Sequence, residues 1–195
     1  MSIKIKGMNI KKVIKICFRN VSILFCLGLI LFTNLSCNKK IVGFDMYYKR
    51  TYNIPVGINP FVSTVWNSDY ITPDTTTFFT ANASSSAKVL KVIPKSMQIS
   101  SIYPSGNTTL DNLTRVEVTI FDPARPSIPA QTIFYRDNVP ANTAYTLDLL
   151  PNAVDVKDLV INSKKFIISI SIQVAQPPPR TIETQFNVYF TAQTE

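Results

Sequence analysis

Over residues 164–174 the side chains alternate strictly. Phe166, Ile168, Ile170, Ile172 and Val174 share one face, and Ile167, Ser169, Ser171 and Gln173 share the other. A period of two carried by β-branched residues marks a half-buried strand. Residues 181–192 repeat the pattern: Ile182, Thr184, Phe186, Val188 and Phe190 stand against Thr181, Glu183, Gln185, Asn187 and Tyr189. Between them lies Pro177-Pro178-Pro179, and proline has no amide to give a ladder. The two segments are expected to form a long hairpin with a stiff proline loop.

Shorter strands are expected upstream at 89–93, 96–103, 114–121, 132–136 and 144–149. Pro104-Ser105-Gly106-Asn107, Asp122-Pro123, Pro140-Ala141-Asn142 and Pro151-Asn152 separate them as turns. No segment keeps a helical period for three turns; single helical turns fit at 110–113 and 154–160. Many short strands without helices predict an all-β fold, a sandwich or a barrel, and the small size favours a single antiparallel β-sandwich.

Residues 41–87 differ. Tyr47, Tyr48, Tyr52, Phe61, Trp66, Tyr70, Phe78 and Phe79 crowd into them, and a polar run, Asn82-Ala83-Ser84-Ser85-Ser86-Ala87, follows. About 40 residues are too few to bury a core alone. Strands at 61–66 and 76–80 are therefore expected to join the same sandwich, which spans 54–195, with 37–53 as a tether.

The first 36 residues read as an export signal. Lys4, Lys6, Lys11, Lys12, Lys15 and Arg19 lie there with no acidic residue. Removing these six from the 20 basic residues leaves 14 against 12 acidic ones, a net of +2 in place of +8. A balance so near zero gives no counterion-release argument for nucleic acid. Residues 21–32 carry no charge, a run shorter than the roughly 20 residues that span a bilayer but suited to the centre of a signal peptide. The competing reading makes 12–35 an uncleaved anchor, which Arg19 interrupts. Met8 is an alternative start to Met1.

Thr33-Asn34-Leu35-Ser36-Cys37 resembles the lipobox of bacterial lipoproteins, in the loose form ending Ser-Cys that is typical of Bacteroidota. The resemblance implies cleavage before Cys37 and attachment of diacylglycerol and palmitate to it. Cys17 and Cys26 would leave with the leader, so the mature chain would hold no disulfide. Asn38-Lys39-Lys40 lacks the aspartate of inner-membrane retention and the acidic cluster of surface export. By that analogy the protein sits in the outer membrane and faces the periplasm. The remaining features, among them Leu110-Asp111-Asn112-Leu113, Arg136-Asp137-Asn138-Val139-Pro140 and Leu147-Asp148-Leu149-Leu150, resemble small β-sandwich lipoproteins of Bacteroidota. That resemblance implies an immunoglobulin-like sandwich and its location, and no active-site residues.

The chain contains no histidine. Ser-His-Asp and Cys-His catalysis and His-ligated metals are thereby excluded. Gly43, Gly57 and Gly106, the glycines beyond the leader, are scattered and make no phosphate loop. Asp155 and Asp158 could share a face, but Asp155 is better read as the cap of the short turn it opens. Arg115 and Glu117 are expected to pair on a strand surface. Asn107 and Asn112 head Asn-x-Thr triplets that matter only in a eukaryotic secretory pathway.

No enzyme, metal or cofactor is expected. The expected function is that of a lipid-anchored structural or accessory subunit, with a membrane and envelope proteins as partners. The alternative is glycan binding, with Trp66 and Tyr70 as a stacking platform; for Trp66 itself a core position is favoured. Asp74-Thr75-Thr76 resembles a Bacteroidota O-glycosylation motif, which makes Thr75 the candidate acceptor.

Overall fold

A computed structural model describes residues 42–73, 75–81 and 85–194. The leader, Cys37, Asp74 and Asn82 to Ser84 lie outside the described residues. Eight strands form one antiparallel sheet: β1 (Val42–Ile54), β2 (Thr64–Asn67), β3 (Val89–Ser101), β4 (Leu113–Phe121), β5 (Gln131–Asp137), β6 (Thr146–Pro151), β7 (Ile167–Val174) and β8 (Ile182–Thr194). Two short helices, α1 (Thr75–Ala81) and α2 (Lys157–Val160), accompany them.

The order across the sheet is β1-β8-β3-β6-β5-β4-β7-β2. Within it β1 pairs with β8, β2 with β7, β3 with β6 and β4 with β5. The pairing is nested, as in one long hairpin of four strands against four that has been rolled up. The join between β6 and β5 is only two residue pairs long, Phe134 with Pro151 and Tyr135 with Leu150. There the sheet curls. Phe134 of β5 meets Phe190 of β8 at 6.4 Å, and Tyr48 of β1 meets Phe166 at 5.5 Å edge to face. Phe134, Phe166, Phe190, Met46, Ile54, Met97 and Ile120 are fully buried inside the curl. Burying a side chain of this size contributes about 1.5–3 kcal/mol.

The alternation in β7 and β8 is as expected, but their partners are not. β8 pairs with β1 and β3, whereas β7 pairs with β4 and β2, so the two form no hairpin. Period-two patterning reports that a strand has one buried face; it carries no information on which strand lies beside it. The residues from Ala175 to Thr181 cross between the two halves of the sheet.

The expected tether is also different. From Val42 onward it is β1, paired along its whole length with β8 from Val42–Thr194 to Ile54–Ile182. Phe44, Met46, Tyr48 and Ile54 face the core. The strands expected from residue 54 therefore form one sheet with β1, and the folded unit includes residues 42–53.

Residues 76–80, expected as a strand, lie within α1. On a strand the adjacent Phe78 and Phe79 would point to opposite faces. On a helix both reach the core: Phe79 packs on Phe44 and Phe78 on Tyr48, each at 6.0 Å. The segments 89–93 and 96–103 are one strand, β3, with a register shift between Pro94 and Ser96. A bulge there accommodates a residue that cannot donate to the ladder.

Residues 110–113 make a turn closed by Leu113 N–H on the Leu110 carbonyl at 3.0 Å. Asp155 Oδ1 accepts the amides of Lys157 and Val92, each at 3.0 Å, and so pins the start of α2 to β3. Arg115 pairs with Glu117 at 3.1 Å, as the strand spacing predicted, and with Asp137 at 3.0 Å.

Candidate functional site

Ile71 and Phe166 form an isolated antiparallel bridge beside β7. The Ile71 amide donates to the Phe166 carbonyl at 2.8 Å, and the Phe166 amide donates back at 3.0 Å. Both side chains are buried. Their neighbours Tyr70 and Lys165 are exposed, and the bridge places them side by side. The Lys165 ammonium stands over the Tyr70 ring, 5.4 Å from its centre.

These two residues line a cleft of about 610 Å³ together with Asp122, Pro123, Ala124, Arg125, Asn162 and Lys164. The volume lies within the range of about 300–1,000 Å³ usual for small-molecule sites. One wall is the turn after β4. The Arg125 amide donates to the Asp122 carbonyl at 3.0 Å, and Asp122 Oδ1 accepts the Ala124 amide at 2.9 Å. Asp122 Oδ2 accepts Arg125 Nε at 2.8 Å. Arg125 Nη2 also donates to the Asp158 carbonyl and to Ser163 Oγ. The guanidinium is thus clamped between the turn and the end of α2.

Burial alone would raise the Asp122 carboxyl. The Arg125 guanidinium, the Ala124 amide and the Ser163 hydroxyl outweigh it and hold the group below the usual carboxylate range. Asp122 stays ionised and balances one cation. Three cations against one carboxylate leave the cleft positive, and its lining also includes an aromatic face and short apolar side chains.

Trp66 and Tyr70 are not brought together. Trp66 is half-buried on β2, packed against the core with its ring 6.0 Å from that of Tyr52. Its neighbour Val65 is exposed on the opposite face. Tyr70, 56% exposed, is the member of the expected pair that reaches the cleft. Thr75 opens α1 and is half-buried, and Asp74 of its motif lies outside the described residues. Cys37 lies outside them as well. Arg125, Lys164 and Lys165 were not singled out in the sequence. The available signal was Asp122-Pro123-Ala124-Arg125, a turn with a carboxylate and a guanidinium three residues apart.

Two other surfaces stand out. Tyr47 and Tyr189 face outward from β1 and β8 with ring centres 4.8 Å apart, and the Tyr47 hydroxyl donates to Asn187 Oδ1 at 2.7 Å. Phe61 is 88% exposed in the loop before β2. Among the described residues no cluster of three or more acidic, Cys or His side chains is disposed to hold a metal. Nor is any helix among them long and apolar enough to cross a membrane.

No protein-family model matches the chain, and no curated protein matches it. Solved structures with partial likeness include turnip yellow mosaic virus, at 12% identity over 77% of this chain and 82% of the other, with a TM-score of 0.26. Desmodium yellow mottle tymovirus gives 7% identity over 77% and 89%, with a TM-score of 0.25. A decameric BFDV capsid protein gives 13% over 78% and 99%, with a TM-score of 0.27. Overlaps this low carry no argument about fold or function.

Proposed function

We propose that the chain is a non-enzymatic, lipid-anchored outer-membrane protein that serves as an accessory subunit, docking a strand of an envelope partner along β1. The observation that carries this reading is the β1 edge. It runs for 13 residues and, among the described residues, pairs with one strand, β8. A strand paired on one side presents amides and carbonyls to an incoming strand. The lipobox-like Cys37 stands five residues before Val42. At about 3.4 Å per residue, five residues reach roughly 17 Å. A lipid on Cys37 would therefore hold β1 close to the membrane surface, where a neighbour in an assembly would meet it.

The nested strand pairing supports a two-layer jelly roll in place of the immunoglobulin-like layout implied by the resemblance to β-sandwich lipoproteins. That fold hosts many activities, so the functional argument stays with the sites. The test places a photo-crosslinking side chain at Lys49, exposed on β1, in intact envelopes. The reading expects one discrete adduct with an envelope protein, absent when the probe sits at Tyr135 on β5. A chain that crosslinks to nothing from either position contradicts it.

A second reading, glycan binding with Tyr70 as the stacking residue, is favoured by one observation. Tyr70 stands exposed on the wall of a cleft large enough for a small ligand. Change in the melting temperature across a panel of oligosaccharides tests it, and no response to any sugar removes it.

A further inference from the structure

We infer that the Tyr70 cleft is a site for an acidic oligosaccharide, one whose sugar rings carry carboxylates. This inference rests on the glycan-binding reading and names its ligand class.

Charge sets the first requirement. Arg125, Lys164 and Lys165 line the cleft, and Asp122 is the one carboxylate among its lining residues. Asp122 is buried and already paired with Arg125. The two lysines are exposed, so the net positive charge is presented to the solvent side. A ligand without negative charge would leave that field unanswered.

Geometry sets the second. The Lys165 ammonium is held over the Tyr70 ring instead of ranging through solvent. The attraction of a cation to an aromatic face at an exposed site biases its position and still leaves it able to bind an anion. Arg125, also in the lining, is fixed by Asp122, Ser163 and the Asp158 carbonyl. Asp122 answers the Arg125 charge, and the two exposed lysines are left to meet an anionic ligand. The Tyr70 ring, Pro123 and Ala124 also line the cleft and give it apolar surface suited to the C–H faces of sugar rings. A phosphate or a small carboxylate would use the charge and leave this apolar surface uncovered. A chain of uronic acid residues uses both.

The test is calorimetric titration of the full chain in detergent with three probes: an oligogalacturonate, a neutral gluco-oligosaccharide of equal length, and an oligoglutamate. The oligogalacturonate is expected to bind at least about tenfold more tightly than either of the others, and more weakly as salt rises. Tyr70→Ala and Lys165→Gln are each expected to weaken it at least about tenfold, whereas Trp66→Phe leaves it unchanged. Tyr70 and Lys165 are exposed, and an unchanged melting temperature confirms that each variant is folded. Equal binding of the neutral sugar overturns the acidic ligand class and leaves glycan binding standing. Equal binding of oligoglutamate overturns the saccharide. Binding that neither variant alters overturns the assignment to this cleft. No binding of either sugar overturns both the inference and the reading beneath it.

Discussion

Tyr52 of β1 and Trp66 of β2 lie with ring centres 6.0 Å apart, and they join the two edge strands of an eight-stranded sheet. The sheet order puts these strands at opposite ends, so the contact exists only because the sheet curls. Burial pushes the Tyr52 phenol up, as expected of a hydroxyl held away from water. Trp66→Ala is predicted to lower stability by about 3 kcal/mol, through lost packing and the cavity left behind. Urea unfolding checks this. The same account predicts wild-type Trp emission that a soluble quencher reaches only in part, because Trp66 is half-buried.

Removal of residues 42–53 is predicted to prevent folding. The deletion strips β8 of one of its two partner strands and takes Phe44, Met46 and Tyr48 from the core. If the segment were a tether the loss would be harmless. A milder variant, Met46→Ala, is predicted to cost about 2–5 kcal/mol. Circular dichroism of the deletion and a urea midpoint for the variant distinguish the two cases.

Asp122 makes part of the stability depend on pH. Its folded carboxyl lies below the ordinary value, so the ionised form is favoured by folding. The contribution is complete above the unfolded pKa of about 4, and is lost as pH falls through the lower folded value. The wild type is predicted to lose stability over this range, and Asp122→Asn to lose less of it. Arg125→Met should cost about 3 kcal/mol near neutral pH, since it leaves a nearly buried carboxylate without its partner. Urea midpoints at neutral and acid pH measure both effects.

Ala144 has a φ of 54°, the left-handed region, where a Cβ is unfavourable. Its amide donates to Asp111 Oδ1 at 2.8 Å, and its carbonyl accepts the Leu110 amide at 2.6 Å. Those bonds hold it there. Ala144→Gly is predicted to raise stability by about 0.5–1 kcal/mol, because relief of strain exceeds the added freedom of the unfolded chain. A higher melting temperature for the variant checks it.

Strand identity was legible where alternation was long, and pairing was not. Ile168, Ile170 and Ile172 announced β7, yet nothing in them distinguished β4 and β2 from β8 as neighbours. Pro94 split one strand into two because a proline normally ends a ladder, and the bulge beside it was not visible in the residues. The Thr-rich run before Phe78 and Phe79 has strand-forming composition. Only the need to bury both rings on one side turns it into α1. Of the site, Tyr70 was legible as an aromatic among loop residues. Lys165 was read as part of a strand beginning at Lys164, and Arg125 lay just past the turn read at Asp122-Pro123. Their meeting depends on the Ile71–Phe166 bridge between segments far apart in sequence, which no local pattern encodes.

Lipid attachment at Cys37 is the claim on which the docking of β1 near a membrane depends most directly. The measurement is the intact mass of the full-length chain expressed in a Gram-negative host and extracted from membranes, beside a Cys37→Ser control. The account predicts a product that begins at Cys37 with added acyl mass, lost in the control. An uncleaved chain, or a soluble product indifferent to Cys37, would contradict it.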